Sequence, residues 1–244
     1  MGLNAFIFAA GLGSRLKPFT GEKPKALVEV NNTTLLERAI NKLSQAGIQD
    51  IVINIHHFGD QILDFLNKRP FQNVNIKISD EQDLLLDTGG GLKKAMELLN
   101  PQHPFIAYNV DIISNIDLTE MIQFHKARAP LATLAVRSRK SSRYLLFDNQ
   151  NRLKGWQNSK TGKQILLQDN PKTLRKQAFS GIQIIQPEIF KRMPGKNVFS
   201  VIELYLEMAR EYDIIAYNHD HSAWFDVGTP EKLKQAESYL KTTE

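Results

Sequence analysis

Cysteine is absent from this chain of 244 residues, which excludes disulfide bonds, thiolate metal sites and thiol redox chemistry. No apolar run reaches the roughly 18 residues that a membrane span requires, and the N-terminus lacks the charged region and apolar core of a secretory signal. Internal repeats, low-complexity tracts and Pro- or Ser-rich linkers are also missing. We therefore expect one domain over residues 1–244, a cytoplasmic location and no membrane partner.

The charges of the chain are mixed along its length. Its 31 Lys and Arg residues exceed its 26 Asp and Glu residues, for a net charge of +5, but the cations are spread among the acids and form no long basic tract. With 42% hydrophobic residues, the chain can bury a large core. This composition favours an anionic small molecule as the ligand, and we expect no nucleic-acid partner.

The most informative stretch is an apolar run at residues 3–10 that continues into a glycine turn and two cations. The run predicts a strand buried on both faces. The small residues after it let the backbone approach a ligand, and their N–H groups are expected to form an anion nest. A forked guanidinium and a lysine point charge suit the phosphates of a nucleoside triphosphate. The candidate nucleotide-binding residues are Ala9, Ala10, Gly11, Gly13 and Ser14, and the candidate catalytic residues are Arg15 and Lys25.

Two other kinds of phosphate loop fail on spacing. A dinucleotide fingerprint requires glycine or alanine where Leu16 stands, and a P-loop requires Gly-Lys followed by Ser or Thr. A Gly-x-Gly after a strand is by itself an ordinary tight turn. Arg15 and the pair Pro24-Lys25 are what favour a nucleotide over that simpler interpretation.

The segment at residues 6–27 resembles the signature of nucleoside-triphosphate:sugar-1-phosphate nucleotidyltransferases, written L-A-A-G-x-G-T-R-L-x-P-L-T-x-x-x-P-K-P-L. It departs mildly at Phe8, Ser14, Phe19 and Ala26. Within the family, the chain is most similar to short, single-domain members such as N-acetylmuramate-1-phosphate uridylyltransferases. The resemblance implies a Rossmann-like three-layer α/β/α fold with a mostly parallel mixed sheet, and a pyrophosphorylase activity that uses Mg²⁺.

The order of periodic segments leads to the same fold class. Alternating strands and helices in the first half predict a parallel sheet, which binds ligands at the carboxyl ends of its strands. There the predicted strands are 3–10, 51–55, 74–78 and 104–108, and the helices are 33–47, 59–68 and 88–99. In the second half the strands are 131–137, 143–147, 164–167, 181–185 and 213–217, and the helices are 198–212 and 229–240. Residues 1–112 form the expected nucleotide-binding lobe, and residues 113–244 form the sugar-binding lobe with the C-terminal helix.

Two aspartates are the candidate metal ligands. Asp111 follows the strand at 104–108, at the edge of the sheet where a carboxylate can meet a bound cation. Asp226 lies in the string W-F-D-V-G-T-P-E at 224–231, whose last part also predicts the start of a helix. The resemblance assigns both aspartates to Mg²⁺. We include Asn109, close to Asp111, among the nucleotide-binding candidates.

Two further glycine segments complete the predicted site. Residues 87–91 open a helix, and the resemblance assigns this segment to reading the nucleobase, with Thr88 and Gly89 as candidates. Residues 179–181 begin a strand, and the resemblance places them near the sugar, with Ser180 and Gly181 as candidates. A glycine-rich helix start and a glycine at a strand start are the simpler structural interpretations of the two segments.

The cation that contacts the sugar phosphate stays open. Many longer relatives use an E-K-P segment there, and none is evident around residues 155–157. Arg137, Arg139, Arg143 and Lys160 are possible contacts, and each is more simply a solvated loop cation. The sequence does not choose among them.

A zinc site is the alternative to magnesium. His219, His221 and Asp226 have roughly the spacing of a transition-metal site, whereas His56 and His57 are adjacent and face opposite ways. Polar surface residues on a loop between strands are the simpler interpretation of the first group.

The sequence predicts an enzyme that couples a nucleoside triphosphate with a sugar 1-phosphate to give a nucleotide sugar and pyrophosphate. The acceptor oxygen is already an anion, so alignment and charge neutralisation suffice for in-line attack on the α-phosphorus. Uridylyl transfer is favoured. The alternatives are guanylyl transfer to sugars of the mannose 1-phosphate type, cytidylyl transfer to a phosphocholine-like alcohol phosphate, and a non-catalytic regulator that binds a nucleotide sugar. A monomer or a dimer is expected.

Overall fold

The computed structural model describes residues 3–167 and 173–243. Its strands are β1 Asn4–Phe8, β2 Glu29–Val30, β3 Thr33–Thr34, β4 Asp50–Ile55, β5 Asn75–Asp80, β6 Phe105–Asn109, β7 Ile112–Ser114, β8 Ala132–Arg137, β9 Arg143–Phe147, β10 Leu153–Asn158, β11 Gln164–Leu166, β12 Arg175–Ile185, β13 Ile214–Asn218 and β14 Trp224–Asp226. Its α-helices are α1 Leu35–Gln45, α2 Gly59–Lys68, α3 Asp87–Ala95, α4 Leu118–Arg128, α5 Val201–Met208 and α6 Pro230–Thr243. The alternation from β1 to β6 is that of an α/β protein.

The central sheet is built around β1. This strand pairs in parallel with β4 on one side and with β6 on the other, and β4 pairs in parallel with β5. Phe6 and Ile7 point to opposite faces of β1 and are both fully buried, which explains the apolar run in the sequence. Because β1 and β6 run in register, their carboxyl ends at Phe8 and Asn109 lie side by side.

Strand β12 joins these parallel strands to an antiparallel region. It pairs antiparallel with β6, β8 and β9, and the order along the main sheet is β11-β10-β9-β12-β6-β1-β4-β5, with β8 also carrying β13. The register of β12 shifts between Phe179 and Gln183, where Gly181 has a φ of +77°. A β-carbon at Gly181 would lie 2.9 Å from Nδ2 of Asn109, so glycine lets this bend approach the end of β6.

Helices cover both faces of the sheet. Ile7 faces a core that includes Leu36 of α1 together with α4 and α6, whereas Phe6 faces a second core that includes Leu92 of α3 and Leu204 of α5. The result is three layers, α/β/α, around a mixed sheet whose central strands are parallel. The predicted fold class is confirmed.

A two-stranded ribbon brings the second candidate aspartate to the first. Strands β7 and β14 pair antiparallel, with Trp224 opposite Ser114 and Asp226 opposite Ile112. The amide of Val227 then donates to the carbonyl oxygen of Asp111 at 3.0 Å. The two aspartates, which are far apart in the chain, are therefore neighbours at one end of the sheet.

The sequence prediction missed α4 and the strands β2, β3, β7, β10 and β14. Helix α4 has Asp117 as its N-cap, which accepts hydrogen bonds from the amides of Thr119 and Glu120 at 2.8 and 3.0 Å. The buried face of α4 includes His125, which interrupts its apolar pattern. The predicted helix 198–212 begins later, at Val201, because Ser200 caps α5 by accepting from the amide of Ile202, and it ends earlier, at Met208. Among the described residues, no helix combines the length and apolar character needed to cross a bilayer.

Candidate active site

The carboxyl ends of β1 and β6 open into a cleft of about 480 Å³. Half of the predicted site residues line this cleft, and the other half lie outside its walls. The lining residues are Ala9, Ala10, Gly11, Lys25, Thr88, Asn109 and Asp111. The others are Gly13, Ser14, Arg15, Gly89, Ser180, Gly181 and Asp226.

Two of the amides expected in an anion nest are already paired. The N–H groups of Ala9 and Ala10 both donate to Oδ1 of Asn54, at 2.7 and 3.2 Å. The expectation of exposed N–H groups is therefore wrong for Ala9 and Ala10, because both residues are buried. Their small side chains still line the cleft, and their contact with a nucleotide stays a prediction.

Sequence reasoning missed Asn54 and Glu81, which are buried and line the same cleft. Nδ2 of Asn54 donates to Oε1 of Glu81 at 2.7 Å. Burial raises the pKa of Glu81, although hydrogen bonds from Asn54 and from the amide of Leu86 act in the opposite direction. A polar residue inside the apolar strand at 51–55 was the available signal, because buried polar side chains are normally paired.

Gly13 shapes the loop that carries the two cations. It has a φ of +63°, and a β-carbon there would lie 2.9 Å from Cγ2 of Thr20 and 3.1 Å from Cβ of Lys25. The hydroxyl of Thr20 donates to the carbonyl oxygen of Gly13 at 2.9 Å, which closes the loop. By contrast, nothing lies within 4 Å of the β-carbon position of Gly11, which faces the cleft. Glycine at position 13 is therefore needed for the loop itself.

Lys25 and Asp111 form an ion pair in the cleft. The ammonium group of Lys25 donates to Oδ2 of Asp111, and the two side chains are only 10% and 18% exposed. A lysine as buried as this one requires a counter-charge. The pair places one candidate cation directly on one candidate metal ligand, at the end of β6.

Asp226 is paired through both of its carboxylate oxygens. Oδ1 accepts from the amide of Gly228 at 3.1 Å, and Oδ2 accepts from Nζ of Lys232 at 3.0 Å. Burial alone raises the pKa of Asp226, but the hydrogen bond from Lys232 and the charges of Lys232, Lys25 and Arg15 outweigh burial and lower this pKa. The carboxylate is therefore ionised at neutral pH and can serve as a ligand for a cation.

Gly228 marks the point where three charged side chains meet. A β-carbon at this position would lie 2.8 Å from Oδ1 of Asp226, 3.3 Å from Nη2 of Arg15 and 3.5 Å from Nζ of Lys25. Lys25 in turn contacts Asp111. The structure thus brings together both candidate catalytic cations and both candidate metal ligands.

The two aspartates suit a hard cation such as Mg²⁺. Each carboxylate holds a lysine ammonium group, which shows that positive charge is stabilised at both positions. Among residues 3–167 and 173–243, no group of three or more His, Cys, Asp or Glu side chains could hold a metal ion. Mg²⁺ commonly uses one or two carboxylates and takes its other ligands from phosphates and water, so this donor set fits it. The zinc alternative with His219, His221 and Asp226 is wrong.

The glycine segment of α3 has a structural role in this fold. A β-carbon at Gly89 would lie 2.4 Å from the ring of Phe199, and one at Gly90 would lie 1.9 Å from the carbonyl oxygen of Asn197. The amide of Gly89 donates to the carbonyl oxygen of Phe199 at 2.8 Å. The hydroxyl oxygen of Thr88 accepts a hydrogen bond from the amide of Val201 at 3.0 Å, and Thr88 also lines the cleft. Contact of Thr88 and Gly89 with a nucleobase stays a prediction.

Ser180, next to Gly181 in the bend of β12, belongs to a buried polar cluster. Its Oγ lies 2.7 Å from Nε2 of His219, and its carbonyl oxygen accepts from Nε1 of Trp224 at 2.9 Å. Both Ser180 and His219 are fully buried. Ser180 is therefore part of the buried interior, whereas Gly181 lies against Asn109 at the edge of the cleft.

The buried histidines predict a loss of stability in mild acid. Burial, reinforced by the charge of Arg137, lowers the pKa of His219 to about 4, and burial lowers the pKa of His125 to about 4. Because histidine in the unfolded chain titrates near 6.5, the unfolded state binds more protons between pH 6.5 and 4, so stability falls as the pH drops through this window. We expect each histidine to cost about 2 kcal/mol of unfolding free energy between pH 7 and pH 5.

Urea unfolding at several pH values measures this loss, and His219→Gln should remove roughly half of it. NMR titration of the wild-type imidazoles provides a check that does not depend on a variant. A His219 imidazole that titrates near 6.5 in the folded protein would contradict the prediction.

Two of the four possible sugar-phosphate cations are not solvated. Arg143 and Lys160 are exposed, as expected, but Arg137 and Arg139 are half-buried. The guanidinium carbon of Arg139 lies 4.4 Å from the ring centroid of Trp224, and that of Arg137 lies 5.9 Å from it. The expectation of solvated loop cations is therefore wrong for Arg137 and Arg139.

Comparison with known sequences identifies the family of this chain. The family model described as nucleotidyl transferase matches residues 4–243, and the chain belongs to this family. The chain is 30% identical to N-acetylmuramate alpha-1-phosphate uridylyltransferase of Neisseria meningitidis serogroup B, over 97% of both chains. It is 26% identical to mannose-1-phosphate guanylyltransferase catalytic subunit beta of Dictyostelium discoideum, over 93% of this chain and 62% of that one.

A solved structure of UDP-glucose pyrophosphorylase complexed with UDP-glucose is similar in fold. It aligns with a TM-score of 0.79 at 18% identity and covers 100% of both chains. At this level of identity the likeness concerns the fold alone. The sequence relatives are sugar-1-phosphate nucleotidyltransferases, and the chain is an enzyme of this class, as predicted.

Proposed function

We propose that the protein transfers the uridylyl group of UTP to a sugar 1-phosphate, giving a UDP-sugar and pyrophosphate, with Mg²⁺ as cofactor. The observation that carries this proposal is the meeting of Arg15, Lys25, Asp111 and Asp226 at the end of the cleft. Cations and metal-binding carboxylates at one point suit a reaction between phosphate groups, because its transition state requires positioning and charge neutralisation.

The reaction is a single in-line displacement. An oxygen of the acceptor phosphate attacks the α-phosphorus of UTP, the bond from that phosphorus to the bridging oxygen breaks, and the electron pair leaves with pyrophosphate. The attacking oxygen is already an anion, so no general base is required. Arg15 and Lys25 neutralise the charge that grows on pyrophosphate. Asp111 and Asp226 would hold Mg²⁺, which supplies further charge neutralisation to the phosphate groups.

In this proposal the predicted lobes have separate tasks. Residues 1–112 bind the nucleotide: the backbone from Ala9 to Ser14 follows the triphosphate, and Asn109 and the 88–89 turn contact the nucleoside. Residues 113–244 form the acceptor side, where Gly181 borders the cleft. A cytoplasmic location and a monomeric or dimeric state stay predictions of the sequence.

The extent of the sequence match favours uridylyl over guanylyl transfer. The uridylyltransferase relative matches over 97% of both chains, whereas the guanylyltransferase matches over 62% of its own length. Cytidylyl transfer to phosphocholine requires an aromatic and acidic cage for a quaternary amine, and here the guanidinium of Arg139 lies over the ring of Trp224. A non-catalytic regulator does not need Asp111 and Asp226, and in this chain a backbone hydrogen bond holds their segments together.

A pyrophosphate-release screen tests the proposed function. UTP, GTP, CTP, ATP and dTTP are each incubated with a panel of sugar 1-phosphates and with phosphocholine, in MgCl₂ or in EDTA. We expect release that requires UTP, a sugar 1-phosphate and Mg²⁺ together. Preference for GTP would replace uridylyl by guanylyl transfer, and no release with any pair would favour the regulator.

A further inference from the structure

Lys232 is a third cation at the carboxylate of Asp226. It is the third residue of α6, and its ammonium group donates to Oδ2 of Asp226 at 3.0 Å. The other oxygen, Oδ1, accepts from the amide of Gly228, and the guanidinium of Arg15 and the ammonium group of Lys25 both approach that residue. Cations therefore surround this carboxylate on the sides of both oxygens.

The position of Lys232 in the chain separates it from the other two cations. Arg15 and Lys25 follow β1, in the lobe that binds the triphosphate in our proposal. Lys232 comes from α6, which follows β14 after a short turn and belongs to the proposed acceptor lobe. In an in-line displacement, the attacking and leaving oxygens lie on opposite sides of the α-phosphorus. A cation of the acceptor lobe is therefore better placed to act on the attacking phosphate than on pyrophosphate.

The attacking phosphate requires positive charge of its own. It is an anion that has to approach the negatively charged phosphates of UTP, so the repulsion between the two must be offset before they can react. In the proposed reaction, Arg15 and Lys25 neutralise the charge on pyrophosphate. A lysine ammonium group is a compact charge with three donors on a flexible stem, which suits a phosphate that moves during the reaction.

The contact of Lys232 with Asp226 can be exchanged at little cost. Within residues 3–167 and 173–243, the ammonium group has no hydrogen bond or ion pair other than the one with Asp226. The Lys232 side chain is 42% exposed, and ion pairs this accessible contribute little to stability. A metal cation held by Asp226 would compete with the ammonium group for Oδ2, and Lys232 would then take another anionic partner.

Arg137 and Arg139 lie nearby but are less suited to this contact. Their charges are partly offset, because Asp226 interacts electrostatically with Arg139 and Asp220 does so with Arg137. Each guanidinium also donates to a backbone carbonyl oxygen, at 3.0 Å for Arg139 and at 3.2 Å for Arg137. These contacts fix the two arginines, whereas Lys232 lies directly on the carboxylate.

We propose that Lys232 is a catalytic residue that leaves Asp226 and contacts the phosphate of the acceptor. The proposal rests on the proposed function and identifies the cation that the sequence left open. Lys232 holds the attacking oxygen beside the α-phosphorus and offsets its charge, while Arg15 and Lys25 act on pyrophosphate. No proton is transferred, because the ammonium group stays protonated and the phosphate oxygen attacks as an anion.

Binding calorimetry on the whole protein tests this contact without turnover. The protein is saturated with Mg²⁺ and α,β-methylene-UTP, whose carbon bridge prevents transfer, and the panel of sugar 1-phosphates is titrated into it. The tightest-binding member is the probe. We expect Lys232→Met to weaken binding of the probe by about 10-fold or more, and binding of α,β-methylene-UTP by less than about 3-fold.

Two further variants show whether the charge at this position is what matters. Lys232→Arg keeps the positive charge and should recover most of the affinity for the probe. Lys234→Met removes an exposed lysine of the same helix and should bind the probe as the wild type does.

An Mg²⁺ titration of the substrate-free protein, followed by thermal unfolding, separates this contact from mere support of Asp226. Lys232→Met removes a cation that competes for Oδ2, so half-maximal stabilisation should occur at an MgCl₂ concentration about 2- to 5-fold lower than in the wild type. If Lys232 only oriented the carboxylate, the same variant would require more MgCl₂.

Three results would overturn the inference. They are wild-type affinity of Lys232→Met for the probe, an equal loss of affinity for the probe and for α,β-methylene-UTP, and a higher Mg²⁺ requirement. Binding of the probe that depends on Lys232, without pyrophosphate release from any substrate pair, would instead keep this contact and reject the proposed function. If no sugar 1-phosphate of the panel bound the wild type, both would be rejected.

Discussion

Arg15→Ala should lower kcat by about 10² to 10³ and leave the fold intact. The side chain of Arg15 is exposed, so its removal costs little packing, while its Nη2 atom lies 3.3 Å from the β-carbon position of Gly228, beside Asp226. Because negative charge on pyrophosphate is largest as the bond breaks, the loss should fall on kcat more than on the KM for UTP. Steady-state pyrophosphate release at varied UTP measures both.

The same loop provides a matched control for Arg15. Lys23→Ala removes another exposed cation and should change kcat by less than about 2-fold, since an exposed charge outside the site is screened by solvent. Arg15→Lys keeps the charge but loses the forked donor, so it should fall between the wild type and Arg15→Ala. Turnover of Arg15→Ala within about 3-fold of the wild type would remove Arg15 from the catalytic residues.

Asp226→Asn should reduce Mg²⁺-dependent turnover by more than about 10², to near background, without unfolding the protein. The asparagine Oδ1 can still accept from the amide of Gly228, so the local turn is kept. What is lost is the negative charge and the pairing with Lys232, a contact whose side chains are 23% and 42% exposed and which contributes little to stability. Turnover measured over an Mg²⁺ titration, with thermal unfolding in parallel, separates these effects.

Two companion variants make the test of Asp226 specific. Asp111→Asn should show the same loss of turnover, because Asp111 is the second proposed ligand. Asp64→Asn removes an exposed carboxylate of α2 and should leave the Mg²⁺ dependence unchanged. If Asp226→Asn gave the wild-type Mg²⁺ titration, Asp226 would not be a metal ligand.

The sequence predicted the fold class because strong local signals agreed with each other. The apolar run of β1 is buried on both faces, as expected of a central parallel strand, and α2 and β9 begin and end as predicted. Helix α4 was missed because a buried histidine breaks its apolar pattern. Strand β10 was missed because its sequence, LKGWQN, does not alternate, and it forms by pairing with β9 and β11.

The candidate site was predicted unevenly for a related reason. Residue type was enough to identify the candidates Arg15, Lys25, Asp111 and Asp226, because phosphate and metal chemistry require side chains of these kinds. No local sequence pattern indicates that the amides of Ala9 and Ala10 donate to Asn54, which lies 45 and 44 residues away in the chain. Contacts at such separations depend on strand register, which a single sequence does not display.

The sequence by itself determined the class of fold, the glycine-shaped loop and the set of charged groups available for phosphate chemistry. These follow from side-chain periodicity, from backbone freedom and from the chemistry of each residue type. Only the tertiary structure decided which groups meet. Pairing of β7 with β14 brings Asp226 to Asp111. The carbonyl oxygen of Ser180, in the bend of β12, accepts a hydrogen bond from Trp224, and the guanidinium of Arg139 lies over the ring of Trp224. The physical reason is that strand pairing and side-chain packing bring together residues that are distant in the chain, whereas sequence patterns mainly reflect the interactions of residues that are close in sequence.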